Sequence, residues 1–398
     1  MKRPAHILPV IVLAQFAGTS LWFAGNAILP DIQRQLGIHT NATGTITSFV
    51  QFGFIIGTLL FSILAIADRF KPSSIFFFSS LLAALSNLCI IWLVKDVTGL
   101  FVFRFLTGFF LAGIYPIGMK VAADWYDKGL GTALGWLVGA LVLGTAFPHL
   151  LKAMLHTMPW QNVLIFVSAF AFTGGLLMLL FVKDGPYRKR GQSFHPRHIV
   201  EIFRSKDFRS ASFGYFGHMW EIYTVWAFIP LLLASNKNIS TADIPFWSFI
   251  IIALGAIGCI AGGYISKKIG SARVAFYCLL ISGICCFLSW SIPDLSFPVL
   301  IIFLCIWGIS VAPDSPQFSA LVAQTAPPEY KGTALTLSTC IGFTITIASL
   351  QGLTFLLNKI TGPERSILFM LLGPGPVVGL IFLYHLFKKK QEQEKTFT

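Results

Sequence analysis

Four charged side chains, Arg104, Lys120, Glu221 and Asp314, interrupt or end long apolar stretches of this 398-residue chain. A charge in hydrocarbon costs at least ~2.5 kcal/mol on insertion scales, so such positions are the first candidates for function in a membrane-spanning protein. Glu221 follows His218 by three residues, a spacing at which two side chains on a helix can touch. A poorly hydrated carboxyl can hold a proton, and its ionised form needs a cation, which protonated His218, Arg104 or a solute amine could supply. Glu221 is therefore the leading proton-coupling candidate, with His218, Asp314 and Arg104 beside it; direct solute binding and a structural pair are the alternatives. Arg104 cannot realistically lose its proton, so it is a fixed cation that could receive a carboxylate or neutralise Glu221 or Asp314. Lys120 lies near the end of its span, where its stem can carry the charge to the interface.

Asp314 sits in Pro313-Asp314-Ser315-Pro316, where both prolines lack a backbone donor and predict a helix break. Tyr115-Pro116, between Gly113 and Gly118, marks a comparable irregularity. Gln15, Thr19, Trp22 and Asn26 follow one another at intervals of four, three and four, which puts them on one helical face as a cavity wall or a polar seam. Tyr223 stands near Glu221 with Trp220 and Trp226. These residues, with Arg104, Tyr115, Glu221 and Asp314, form the expected substrate cavity.

The elements that position them are apolar and long. Of all residues 55% are hydrophobic and 11% charged, whereas soluble domains carry about 25% charged residues. Apolar segments fall near 6–29, 44–67, 74–94, 98–121, 130–153, 160–182, 209–234, 244–266, 273–291, 296–322, 333–357 and 366–387, each long enough for a hydrocarbon core of about 30 Å. With Arg104 and Lys120 assigned to spans, Arg34, Lys95, Lys152, Lys237, Lys359 and Arg365 lie on one side of the membrane, and the other 21 Lys and Arg residues share the side of both termini. The positive-inside rule makes that side cytoplasmic, in a plasma membrane or a bacterial inner membrane. The net charge of +13 is thus a topology signal, not a nucleic-acid footprint. All seven cysteines lie in apolar segments, which suggests neither disulfides nor a metal site. The basic connection 183–208 divides the chain near its midpoint, and the polar tail 388–398 is expected to be disordered.

Gly131-Thr-Ala-Leu134 recurs as Gly332-Thr-Ala-Leu335, displaced by half the chain, so that the fifth span maps onto the eleventh. At this point the chain resembles the major facilitator superfamily over nearly all its length. The stretch Leu64-Ala-Ile-Ala-Asp68-Arg69-Phe70-Lys71 keeps the Asp-Arg pair of the family's Gly-x-x-x-Asp-Arg-x-Gly motif and replaces both glycines. Arg104-Phe-Leu-Thr-Gly108 meets its Arg-x-x-x-Gly motif. The fifth span carries a glycine ladder, Gly131, Gly135 and Gly139, with Pro148 later than in the family's antiporters.

The resemblance implies an all-α polytopic membrane protein whose twelve transmembrane helices form two pseudo-symmetric six-helix bundles, 1–182 and 209–387, with helices one, four, seven and ten around a central cavity. It implies gating or packing roles for Asp68, Arg69, Gly108, Gly131, Gly135, Gly139, Pro148, Pro313 and Pro316. The expected activity is proton-coupled import of a small organic anion or zwitterion by a monomer in contact with membrane lipids. The alternatives are an exporter of siderophores or amphipathic compounds and a non-transporting receptor. No cofactor is called for, and neither HExxH nor GxSxG occurs to suggest an enzyme.

Overall fold

The computed structural model describes residues 4–37, 42–126, 129–155, 157–188, 199–360 and 362–396; part of the expected linker, 189–198, lies outside these. Among the described residues, ten helical stretches are long and apolar enough to cross a membrane, and they fall on ten of the expected spans. The other two depart from the expectation for different physical reasons. In the first, α1 (Ile7–Thr19) is only 13 residues long, about 20 Å. The chain then turns irregularly into α2 (Ala24–Ala27) and α3 (Leu29–Leu36). In the seventh, the helix is continuous over 29 residues but carries Ser210, Ser212, His218 and Glu221, too polar a face for a simple lipid-crossing helix.

The first half continues through α4 (Thr43–Ile63), the short α5 (Ile66–Arg69), α6 (Pro72–Leu93), α7 (Val97–Leu111), α8 (Tyr115–Trp125), α9 (Leu130–Met154) and α10 (Gln161–Phe181). After α11 (Ile199–Ile202), the second half contains α12 (Lys206–Ala234), α13 (Ile244–Ile269), α14 (Ser271–Leu288), α15 (Phe297–Ser310), α16 (Asp314–Thr325), α17 (Lys331–Leu357) and α18 (Pro374–Thr396). The repeated Gly-Thr-Ala-Leu tetrapeptides both lie in the first turn of a helix, α9 and α17. The tail is not the coil expected: α18 runs on to Thr396, and Lys389 with His385 binds Asp207 at the start of α12.

Helix packing relies on backbones that approach closely. A Cβ at Gly135 would lie 3.0 Å from the Cys259 carbonyl oxygen, and one at Gly139 would lie 3.1 Å from that of Ala256, so the backbones of α9 and α13 approach closely, with the Ile260 side chain beside Gly139. Gly108 does the same for α7 against the Val50 carbonyl of α4. Where α4 ends, Ala65 adopts φ +49°, the left-handed conformation an L-residue adopts only at a penalty. The corresponding turn between α13 and α14 puts Gly270 at φ +87°.

Both predicted helix breaks exist. α7 stops at Leu111 and α8 resumes at Tyr115; α15 stops at Ser310 and α16 resumes at Asp314. Pro116 and Pro316 fall in the first turns of the new helices, where a missing N–H breaks no intrahelical bond.

Candidate functional site

Between the two halves lies a central cavity with about 20 Å³ of free space, room for one water. Its polar wall is formed by Tyr115, Tyr215, Tyr223, Ser315 and Trp226; Met219, Ile222, Phe343 and residues of α9 make it apolar elsewhere. An aromatic stack closes one end. Trp22 lies over Tyr223 and Phe343 with ring centroids 5.6 Å away in both cases, Phe54 tilts against it at 5.0 Å, and Phe23 meets Trp226 edge-on at 6.5 Å. The buried Trp226 indole N–H has no partner, so it is a donor left open at the cavity wall.

On the face where α1 begins and α18 ends, a vestibule of about 860 Å³ separates the ends of α4 and α8 from the start of α17. It is lined by Asp68, Lys120, Asp124, Tyr126, Tyr187 and Lys331 among others. Lys120 reaches this end and pairs with Asp68 while also donating to the Ala67 carbonyl. Arg69 is exposed beside it. On the opposite face α4 and α17 are in contact, since a Cβ at Gly44 would strike Thr354 and the Leu350 carbonyl. The molecule is therefore open on one face and closed on the other.

Three of the four candidate charges are wholly inaccessible, but they do not converge. His218, Glu221, Arg104 and Asp314 all show 0% exposure. The expected contact between His218 and Glu221 is not made. His218 Nδ1 instead lies 3.0 Å from Asp314 Oδ2, and its Nε2 lies 3.1 Å from the Ser315 hydroxyl. The Asp314 contact has ion-pair distance without hydrogen-bond alignment. Asp314 is the first residue of α16, where unpaired backbone N–H groups favour a carboxylate. Ser315 connects this pair to the cavity wall.

Glu221 faces away from that cavity. Its Oε2 accepts from Ser282 at 2.9 Å, and its Oε1 accepts from Trp307 Nε1 at 2.8 Å and from the Cys286 thiol at 3.3 Å. Among the described residues it has no ion-pair partner, so the cation expected beside it is replaced by three neutral donors. Arg104 likewise neutralises neither acid. Its guanidinium donates to the carbonyls of Leu21 (3.2 Å) and Trp22, which lie in the break after α1, and to Asn87 Oδ1 of α6 (3.4 Å). Asn87 is held in turn by Ser168 at 3.0 Å.

The stripe of the first span is divided by the same break. Gln15 packs on Gly118, Thr19 donates to the Gln15 carbonyl at 2.8 Å, and Asn26 donates to Thr47 at 2.7 Å. Of the expected cavity residues only Tyr115 and Tyr223 line the central space; Gln15, Thr19, Trp22, Asn26, Arg104, Glu221 and Asp314 lie outside its wall in this conformation. Helices α9 and α17 contribute instead of α1. Pro148 is buried inside α9, and Pro313 caps α16 while packing on Gly258.

Ser282, Cys286, Trp307 and Asn87 were missed as partners of the buried charges. Ser282 and Cys286 are four residues apart on one face of an apolar helix, a weak polar signal; Trp307 left none.

Residues 11–350 match the Major Facilitator Superfamily. The chain belongs to that family. It is a multi-pass membrane transporter by membership, and several similar proteins carry curated names. It is 22% identical over 282 residues to an uncharacterized protein of Campylobacter jejuni, Cj0987c, covering 69% of this chain and 86% of that protein. It is 23% identical over 257 residues to the probable L-galactonate transporter of Escherichia coli K12, covering 59% of this chain and 55% of that one, so the match spans about half the length of the latter. The fold superposes on the crystal structure of the human organic anion transporter MFSD10 (TETRAN) with a TM-score of 0.74 at 15% identity, covering 96% of this chain and 100% of that one. This likeness concerns the fold alone.

Proposed function

We propose that this member of the superfamily is a proton-coupled secondary transporter that imports a small organic anion or zwitterion by alternating access. The His218–Asp314 pair carries the reading: an imidazole and a carboxyl 3.0 Å apart, buried at a helix break and linked through Ser315 to the cavity wall. Such a pair can gain or lose a proton as its surroundings change. An anionic solute is supported by the L-galactonate named for the Escherichia coli relative and by the organic anions named for the human structure.

In this reading the broken first span and the polar α12 complete twelve crossings. Residues 1–182 and 209–387 are two six-helix bundles, joined by the linker 183–208 and followed by the tail 388–398. The charge asymmetry supports a cytoplasmic vestibule face, which makes the conformation described open inward. Tyr115, Tyr223 and the unpartnered indole of Trp226 would meet the solute, while Asp314 and His218 handle the proton. The chain works as a monomer.

The test is uptake of labelled L-galactonate into proteoliposomes under an imposed inward proton gradient. Wild type should accumulate it, and Asp314→Asn should let it only equilibrate across the membrane while melting at an unchanged temperature. Accumulation that ignores both the gradient and the substitution would sink the reading.

A further inference from the structure

We infer that Glu221 is a positioning residue, the fixed grip by which α12 splints the break between α15 and α16, while the His218–Asp314 contact is the grip that lets go. The inference rests on the proton-coupled reading above and divides its labour between two buried acids.

The two contacts bracket the break. α12 runs antiparallel to α15 and α16, so successive turns of α12 meet successive parts of the broken helix. Glu221 takes Trp307, the residue one turn before the end of α15. His218, one turn back along α12, takes Asp314 and Ser315, the first two residues of α16. One continuous helix thereby holds both pieces of a discontinuous one.

The grips differ in completeness. Both oxygens of Glu221 are engaged, by donors from two separate helices, α14 and α15. All three donors are neutral and none is part of the cavity wall, so neither solute nor vestibule water competes for them. Neither Asp314 oxygen has an aligned hydrogen bond to a side chain; His218 lies beside it at ion-pair distance, and the backbone N–H groups of Asp314 and Ser315 face the carboxyl. A contact of that kind is lost when either member changes protonation or when a solute group at Ser315 draws the imidazole away.

A Cβ at Gly258 of α13 would lie 2.6 Å from the Pro313 ring, so α13 presents bare backbone to the break. The Ala312 carbonyl accepts from the Ser315 N–H at 3.1 Å and from the Cys259 thiol at 3.3 Å, the latter a weak bond. The ionisable groups that interact with Asp314 are His218 and Glu221 from α12, Cys259 from α13 and Cys278 from α14; Tyr215 of α12 lies against His218, and Cys259 also interacts with Tyr115 of α8. Those that interact with Glu221 are Cys286 and Cys285 of α14, with Asp314. No permanently charged cation belongs to either set, so a change at Asp314 falls on His218.

The experiment is the pH profile of L-galactonate uptake into proteoliposomes over about pH 5 to 8, the window in which a histidine-containing pair changes charge. It compares wild type, Glu221→Gln, Trp307→Phe, Asp314→Asn and His218→Gln. Glu221→Gln and Trp307→Phe loosen the same grip, so both should lower the maximal rate by a common factor, about three- to tenfold for one lost hydrogen bond. The double variant should be no worse than either single one, and the profile should keep its shape. Asp314→Asn and His218→Gln should flatten the profile. A flattened profile in Glu221→Gln with a normal one in Asp314→Asn overturns the assignment and leaves proton coupling intact. Unchanged rates in both Glu221→Gln and Trp307→Phe overturn it as well. Wild-type uptake that shows no pH dependence removes the proton-coupled reading together with the inference.

Discussion

The two halves of the chain hold their discontinuities in opposite ways. In the first half, the break after α1 is secured by Arg104, a cation with no realistic neutral form, acting on backbone carbonyls. In the second half, α12 stays continuous and secures the break between α15 and α16 through Glu221 and His218, whose bonds go to side chains as well as to a helix start. A clamp from a permanent charge to backbone holds one geometry at every pH. A clamp between titratable side chains can be opened by a proton, so a chain built from a repeat can make one copy rigid and the other responsive.

Four substitutions probe that contrast. Arg104→Leu should have the largest effect, because the Leu21 and Trp22 carbonyls and Asn87 would lose buried donors together. A loss of about 3 kcal/mol is expected, seen as poor expression and a clear drop in melting temperature at every pH. Melting like wild type would break the contrast, since Arg104 would then not be the clamp. Ser282→Ala removes one of three donors to Glu221 and should cost about 1.5 kcal/mol, with transport retained; abolished transport in a well-folded protein would mean that the Glu221 pocket is more than an anchor. The smallest change sharpens the same comparison at the equivalent turns. Ala65→Gly should raise stability by about 1 kcal/mol by relieving the left-handed alanine, whereas Gly270→Ala should lower it. Equal responses at the two turns would show that their strain does not differ.

The long spans were legible because apolar length is a local property, and so were the breaks at Tyr115-Pro116 and Asp314-Ser315-Pro316, because proline acts on its own helix. The break in the first span was not. Nothing between Thr19 and Ala24 is a proline, and the irregular path there is sustained by Arg104, a residue more than 80 positions away whose bonds exist only after folding. The same limit governs the charges. Their identity and burial followed from the sequence, but the three-residue spacing of His218 and Glu221 says only that they could touch. Each found a better partner on another helix; Ser282 carries only the weak polar signal of its pairing with Cys286, and Trp307 carries no mark in the sequence that distinguishes it from lipid-facing neighbours.

The seam of Gly135, Gly139 and Gly263, where α9 and α13 lie backbone to backbone, has a mechanical consequence. Side chains that interdigitate must leave one rotamer well and find another before two helices can slide. At Gly135 and Gly263 the seam is Cα atoms and carbonyl oxygens without such teeth, and Ile260 beside Gly139 is a single small one, so it behaves as a bearing with little internal friction. Resistance to relative motion is then concentrated in the aromatic stack of Trp22, Tyr223 and Phe343, and the temperature dependence of turnover should be set by how readily those rings part.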